Sequence, residues 1–345
     1  MSRYAPLFTA PVARLSALNL GTCEEEGIDA SLLDQADHEI RAKFPKMHSF
    51  LLLRHGKLIW ERYYNGHEAS ALNDLRSATK SFTSTLVGMA MARGDMPGPD
   101  TAVHKLLPEY LPRRKETLLE RITIRHLLTM TSGLYWQTGK KLGEAFIHRF
   151  HRSKSWPSFA LRLPVQEDQI GVFQYRSVDS HLLSVLLTRC CGMDAYTYAL
   201  QHLFEPLGFG RSGWAQDPEG YTMGHIGLYL TSRDMAKFGD CCLHQGIWNG
   251  RELIPADWLH QATQRQIEGY PEFGDYGFQW WTGRLHGIDY ACAHGHGGQQ
   301  IYLIPEANAV VVFTADSKVS RWKNPRTLLE RFVLPAVSSL NLERS

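Results

Sequence analysis

The chain has 345 residues, 43% of them hydrophobic, which suffices for a large core and corresponds to about two domains at roughly 100 to 200 residues each. Its 37 basic and 35 acidic residues leave a formal charge of +2, so no net field favours nucleic acid or an anionic membrane surface. Nine Trp, 14 Tyr and 15 Phe argue against disorder, and no apolar run approaches the roughly 18 residues that a membrane-spanning helix needs.

Residues 1–24 lack periodicity and are expected to form an arm over the surface. Pro6, Pro11 and Arg14 interrupt any apolar block of the signal-peptide type, which makes a cytoplasmic protein the expectation. Cys23, Cys190, Cys191, Cys241, Cys242 and Cys292 suit neither a disulfide framework nor a CxxC site, and are expected as reduced thiols packed mostly in helices. A helix is predicted over 29–44. The runs SFLLLRHG and KLIWERYYNG, hinged at His55 and Gly56, read as a β-hairpin. From Ser77 the period changes: Phe82, Leu86, Met89 and Ala90 recur at helical spacing, while Ser77, Ser81, Ser84 and Gly88 form a small-residue face. That pattern predicts a buried helix with a close neighbour, stopped at Gly94. Residues 95–225 read as helical runs broken by DMPGPD, SKSWP, EPLGFG and AQDPEG. A helix over 232–242 follows, then four strand-like runs, YGFQWW, IDYACA, QQIYLIP and AVVVFTA, and a helix over 325–334 stopped by Pro335.

Strands at both ends with helices between cannot build a parallel sheet, whose strands and helices alternate. The prediction is an α+β fold in which residues 25–76 and 226–345 form an antiparallel sheet flanked by helices, interrupted by a mainly helical domain over 77–225. A cleft between the two is the favoured place for a small-molecule site.

Ser77-Ala78-Thr79-Lys80 opens the buried helix. A hydroxyl is a weak nucleophile and needs a base within hydrogen-bond reach, and positions i and i+3 share one helix face. A lysine held in a desolvated cleft loses part of its preference for the charged form and can accept a proton. Alone the signal is weak, since roughly one Ser-x-x-Lys arises by chance in a chain of this kind. The second copy, Ser320 to Lys323, falls in a loop that fixes no geometry.

RSATKSFTSTLVGMA, ITIRHLLTMTSGLYW, FQYRSVDSHLLSVLL, GLYLTSRDMAKFGDCCLHQGIWNGRELIP and AHGHGGQQIYLIPEANAVVVFTAD, in that order over about residues 48–315, resemble the serine hydrolases of the β-lactamase and penicillin-recognising fold. The resemblance implies Ser77 as nucleophile, Lys80 as its base, and Tyr175 of Tyr175-Arg176-Ser177 as the active-site tyrosine, its phenol lowered below about 10 by the neighbouring ammonium. Arg176, between them, is expected at solvent. The third motif is matched to His296-Gly297-Gly298, with the backbone N–H groups of Gln299 and Ser77 as oxyanion donors, His296 at the cleft wall, and glycines such as Gly298 admitting substrate to the backbone. A shift of two would put His294 in that position instead. His294 and His296 could also be half of a metal site, but no carboxylate or thiolate motif completes it, and neither metal nor cofactor is expected. Tyr135 and Trp136 are expected to cover the bound acyl group.

The match lacks the lysine and hydroxyl of the family's Lys-Thr-Gly, which hold a substrate carboxylate. It therefore looks most like the branch with carboxylesterases and 6-aminohexanoate-dimer hydrolases. The function implied is cleavage of a small ester or linear amide through an acyl-enzyme, the alternatives being a β-lactamase or D,D-peptidase activity or a non-catalytic binding relative. The expected partner is a small acyl substrate, with neither nucleic acid nor membrane; oligomeric state is left open.

Overall fold

The structure is a computed structural model that describes residues 5–11, 17–113 and 116–338. Its strands, in chain order, are β1 (Pro6–Thr9), β2 (Asn19–Leu20), β3 (Met47–Arg54), β4 (Lys57–Tyr63), β5 (Leu72–Asp74), β6 (Ser212–Ala215), β7 (Leu228–Thr231), the short pair β8 (Ile247–Trp248) and β9 (Arg251–Glu252), β10 (Ile267–Tyr270), β11 (Gly274–Tyr276), β12 (Trp281–Leu285), β13 (Ile288–Gly295), β14 (Gln299–Ile304) and β15 (Ala309–Ala315). The principal helices are α1 (Ala30–Lys43), α2 (Thr79–Ala92), α3 (Ile124–Leu128), α4 (Ile147–Arg152), α5 (Trp156–Leu161), α6 (Ser177–Cys191), α7 (Ala195–Ala199), α8 (Glu205–Leu207), α9 (Ser232–Leu243) and α10 (Ala256–Thr263).

The main sheet runs β10-β11-β12-β13-β14-β15-β3-β4-β2 and is antiparallel except where β2 lies parallel to β4. Strands from both ends of the chain thus meet at β15 and β3, as the α+β prediction requires. Side chains alternate across a strand, and here both faces are apolar. Leu51, Leu53, Ile301, Leu303, Val310 and Val312 enter one core with Phe82 of α2 and Phe238 of α9. Phe50, Leu52, Tyr302, Ile304, Val311 and Phe313 enter a second core with Leu33 and Ile40 of α1 and the C-terminal helical segment. A sheet buried on both sides needs helices on both sides, which is why the strands read as continuous apolar runs.

Several expectations shift. The arm is not loose where it is described: β1 pairs with β6 in a second sheet, β1-β6-β7-β5, and β2 edges the main sheet. Residues 1–4 and 12–16 of that arm lie outside the described residues. The run YGFQWW is not one strand. Gln279 adopts φ 63° between β11 and β12, where its side-chain amide donates to the carbonyls of Leu127 and Leu128 and accepts from Ser180 Oγ. Those bonds tie the sheet edge to α3 and α6. Nor does Pro335 stop the last helix, which continues to Ser338 through a wider π-turn at Leu329–Val333, the step that precedes the residue lacking an N–H. The cysteines are free thiols; four lie in α6 and α9, Cys292 in β13 and Cys23 in a loop. Among the described residues no helix is long and apolar enough to cross a membrane.

The helix carrying the Ser-x-x-Lys motif is buried along nearly its whole length. Its small-residue face does have a close neighbour: a Cβ on Gly88 would stand 2.3 Å from the Trp258 ring of α10, and Ser81 Oγ donates to the Gln279 carbonyl at 2.8 Å. Glycine is therefore required at 88 despite its cost of about 1 kcal/mol in a helix. Gly88→Val is expected to lower the unfolding free energy by about 1–3 kcal/mol through overpacking, measured as a reduced urea midpoint. An unchanged midpoint would show that Trp258 yields freely.

Candidate active site

Ser77 lies in a short 3-10 turn (Arg76–Ala78) that runs directly into α2. The residue before it, Arg76, is held at φ 49°, a left-handed conformation that non-glycine residues adopt only where the surroundings impose it. Ser77 is half-buried, whereas Lys80, one turn on, is 1% exposed. Lys80 Nζ donates to Ser77 Oγ at 3.1 Å, to Ser177 Oγ at 3.3 Å and to the His225 carbonyl at 3.1 Å. Three N–H groups thus meet three acceptors, which is what makes a buried ammonium tolerable. Burial still pulls the Lys80 ammonium down to about 8; Glu144 opposes that fall and Arg76 adds to it.

Tyr175 precedes α6 and is 2% exposed. Its ring stacks on Trp281 of β12 at 19° and has Lys80 Nζ 4.9 Å from its centroid, and its hydroxyl shares a hydrogen bond with Ser77. The structure therefore brings Ser77, Lys80 and Tyr175 together. It overturns the expected direction of the phenol's shift: burial first, then Glu144, push Tyr175 above its ordinary value, outweighing the bond from Ser77. Tyr175 is a neutral phenol at ordinary pH.

Behind Lys80 lies a residue that the sequence did not reveal. Glu144 Oε2 accepts from Ser177 Oγ at 2.6 Å, and Oε1 accepts from the Ser177 backbone N–H at 2.6 Å and from Trp136 Nε1 at 2.8 Å. The carboxylate sits at the N-terminus of α6, where the helix dipole favours negative charge. It comes from an irregular loop, so no periodicity or motif could have flagged it.

Two histidines pack beside the lysine. His225, fully buried, meets His151 of α4 with Nε2 to Nε2 at 2.8 Å. Burial holds both rings well below 6.5, His151 at about 4, so at neutral pH one neutral imidazole donates to the other.

Of the two candidate histidines, His294 lies in β13 and His296 in the turn that follows it. A Cβ on Gly295, the last residue of β13, would stand 2.2 Å from the Leu75 carbonyl and 3.1 Å from Ala78 N, so this strand end packs directly on the nucleophile turn. His294 precedes that glycine, its Nδ1 accepting from Gln300 Nε2 at 3.0 Å. His296 stands in the hairpin turn, and its ring Nε2 bonds the Val319 carbonyl at 2.6 Å. Gln299 lies on the next strand, opposite Gly295, with its side-chain amide bonded to Ala315. Gly298 is a turn glycine at φ 111°, donating to the Gly295 carbonyl and facing Pro325 rather than Ser77. Among the described residues no group of three or more His, Cys, Asp or Glu side chains is arranged to hold a metal.

Trp136 does not cover a cleft; it is buried and supports Glu144. Tyr135 is half-buried and lines a separate cavity of about 530 Å³ with Phe146, Arg149 and Phe159. Arg176 is not at solvent either. It is 1% exposed, and its guanidinium donates to the carbonyls of Leu134 and Met130, with Asp179 3.9 Å away.

A model of the family described as Beta-lactamase matches residues 45–331. The 6-aminohexanoate-dimer hydrolase of Paenarthrobacter ureafaciens is 25% identical over 92% of this chain and 84% of its own length. Esterase EstB of Burkholderia gladioli is 35% identical, over 25% of this chain and 24% of its own. Among solved structures, EstCE1, described as a hydrolase with promiscuous acyltransferase activity, superposes with a TM-score of 0.68 at 17% identity, covering 90% and 97% of the two chains. The octameric penicillin-binding protein homologue of Pyrococcus abyssi superposes at 0.67 and 20% identity, covering 91% and 77%.

Asp179 is a fully buried carboxyl 3.9 Å from the Arg176 guanidinium, and burial raises it to about 7 against the lowering effects of Arg176 and Ser132. Asp179→Ala leaves a buried cation unpaired, and is expected to cost about 3–5 kcal/mol in chemical denaturation. Stability equal to the parent would mean that the carbonyls alone satisfy Arg176.

Proposed function

The chain belongs to the Beta-lactamase family and is a serine hydrolase; on that premise we propose that it cleaves a small ester or linear amide through an acyl-enzyme on Ser77. The observation that carries this reading is the Lys80 amine, buried, its ordinary value lowered by burial, and 3.1 Å from the hydroxyl of Ser77, which is only half-buried. Neutral Lys80 takes the proton of Ser77 as Oγ attacks the carbonyl carbon. The oxyanion that forms is met by the backbone N–H groups of Ser77 and of His296, where the chain leaves β13 against the nucleophile turn; the close approach at Gly295 supports this pair over Gln299. The proton returns to the leaving oxygen or nitrogen from Lys80 through the neutral Tyr175 hydroxyl. Water then attacks the acyl-enzyme, giving its proton to the same lysine, and the acid departs as Ser77 is restored.

Substrate class follows from what the motif lacks. Whether the match begins at His294 or at His296, it supplies neither the lysine nor the hydroxyl of Lys-Thr-Gly, so no fixed cation or hydroxyl waits at this strand for a β-lactam carboxylate. The relatives named as an amide-dimer hydrolase and an esterase support the ester or linear amide reading.

Ser77→Ala is expected to abolish hydrolysis of a short p-nitrophenyl ester while the far-UV circular dichroism stays unchanged, and Lys80→Ala and Tyr175→Phe each to lower kcat/KM by orders of magnitude. Turnover that survives Ser77→Ala would remove the assignment, and rapid nitrocefin hydrolysis would move the substrate class to β-lactams. The base must be neutral to act, so kcat/KM is expected to rise with pH through a limb near 8 and to be lost below it. A rise only at the ordinary lysine value would contradict Lys80 as base.

A further inference from the structure

Glu144 belongs to none of the recognised motifs, yet it bonds at 2.6 Å to the serine that touches Lys80. Its two oxygens take three donors, two of them from Ser177. A serine hydroxyl has a single proton. With that proton committed to Glu144 Oε2, the lone pairs of Ser177 Oγ are left for Lys80. Remove the acceptor and Ser177 is free to rotate and to present its proton to the lysine instead, which leaves one ammonium donor unsatisfied in a buried site.

We propose that Glu144 is a positioning residue for catalysis: its carboxylate fixes the Ser177 hydroxyl as an acceptor for Lys80 and supplies the countercharge to that buried ammonium. The proposal rests on Lys80 acting as the base. The groups facing Lys80 from the surrounding elements are Glu144 of the loop before α4, Arg76 of the turn that carries Ser77, Tyr175 before α6, and the imidazoles of His151 and His225. His151 and His225 are held neutral by burial and Tyr175 is a neutral phenol, so Glu144 is the anion and Arg76 the opposing cation of this set. Glu144 holds Lys80 more protonated than burial alone would, and its loss moves the lysine further down.

Substitution therefore has a signed consequence. Glu144→Gln keeps the shape and removes the charge, so the acid limb of kcat/KM is expected to move to lower pH by about one unit, the low end for a nearby opposite charge, since Ser177 stands between Glu144 and Lys80. At saturating pH, kcat is expected to fall about 10- to 100-fold through loss of alignment, with KM within about twofold. Ser177→Ala removes the bridging hydroxyl, one of the three acceptors of the ammonium, but keeps the carboxylate, so it lowers kcat and moves the limb down by less than Glu144→Gln does. Glu144→Asp retains the anion and the limb with a partial loss of kcat, and carries the test if Glu144→Gln does not fold. A limb unmoved in Glu144→Gln, or displaced in Glu144→Asp, overturns the proposal. These results stand apart from the acyl-enzyme reading itself, which fails only if Ser77→Ala and Lys80→Ala remain active or the parent shows no limb near 8.

Discussion

A lysine amine with 1% exposure has to find acceptors for its protons inside the protein, and the way Lys80 finds them organises the cleft. Its three acceptors come from three separate parts of the chain: Ser77 in the turn before α2, Ser177 at the first position of α6, and the His225 carbonyl ahead of β7. Holding those oxygens within about 3.3 Å of one nitrogen fixes α2 against α6 and against the return of the chain toward the second sheet. Stability and chemistry share this constraint. The same burial that makes the ammonium expensive lowers its proton affinity, and a base that is neutral near pH 8 is what a serine nucleophile requires.

The scaffold around that point is rigid for ordinary reasons. The nine-stranded sheet is apolar on both faces, so helices cover both, and α2 is buried along nearly its full length between neighbours that leave no room for a side chain at Gly88. Gly295 brings β13 onto the nucleophile turn with comparable closeness. Ser77 and Lys80 are therefore carried by closely packed elements. Of Ser77, Lys80 and Tyr175, only Ser77 is less than fully buried.

What the sequence made legible is what periodicity and linked motifs encode. Ser77 and Lys80 sit one helical turn apart on a helix whose buried face was apparent from Phe82, Leu86 and Met89, and the hairpin at His55 and Gly56 was apparent from its turn residues. The sheet assembled from both ends followed from strand and helix order. What escaped depends on contacts without a sequence period. Glu144 reaches the site from an irregular loop. Gln279 breaks an apparently continuous strand because its amide bonds the carbonyls of α3, and no sequence signal sets Gly295, which lies against Leu75, apart from Gly297 and Gly298. The direction of the Tyr175 shift was misjudged because one neighbouring cation was weighed without the burial and the carboxylate that outweigh it.

The central claim is that Ser77 becomes covalently acylated. The most direct measurement is intact-mass analysis of the enzyme quenched during turnover of a slowly deacylating p-nitrophenyl ester, followed by peptide mapping. The account predicts one added acyl group per chain, carried on the peptide that contains Ser77 and lost on further incubation, with none on the Ser77→Ala variant. Turnover with no added mass, or an acyl group on a different residue, would contradict it.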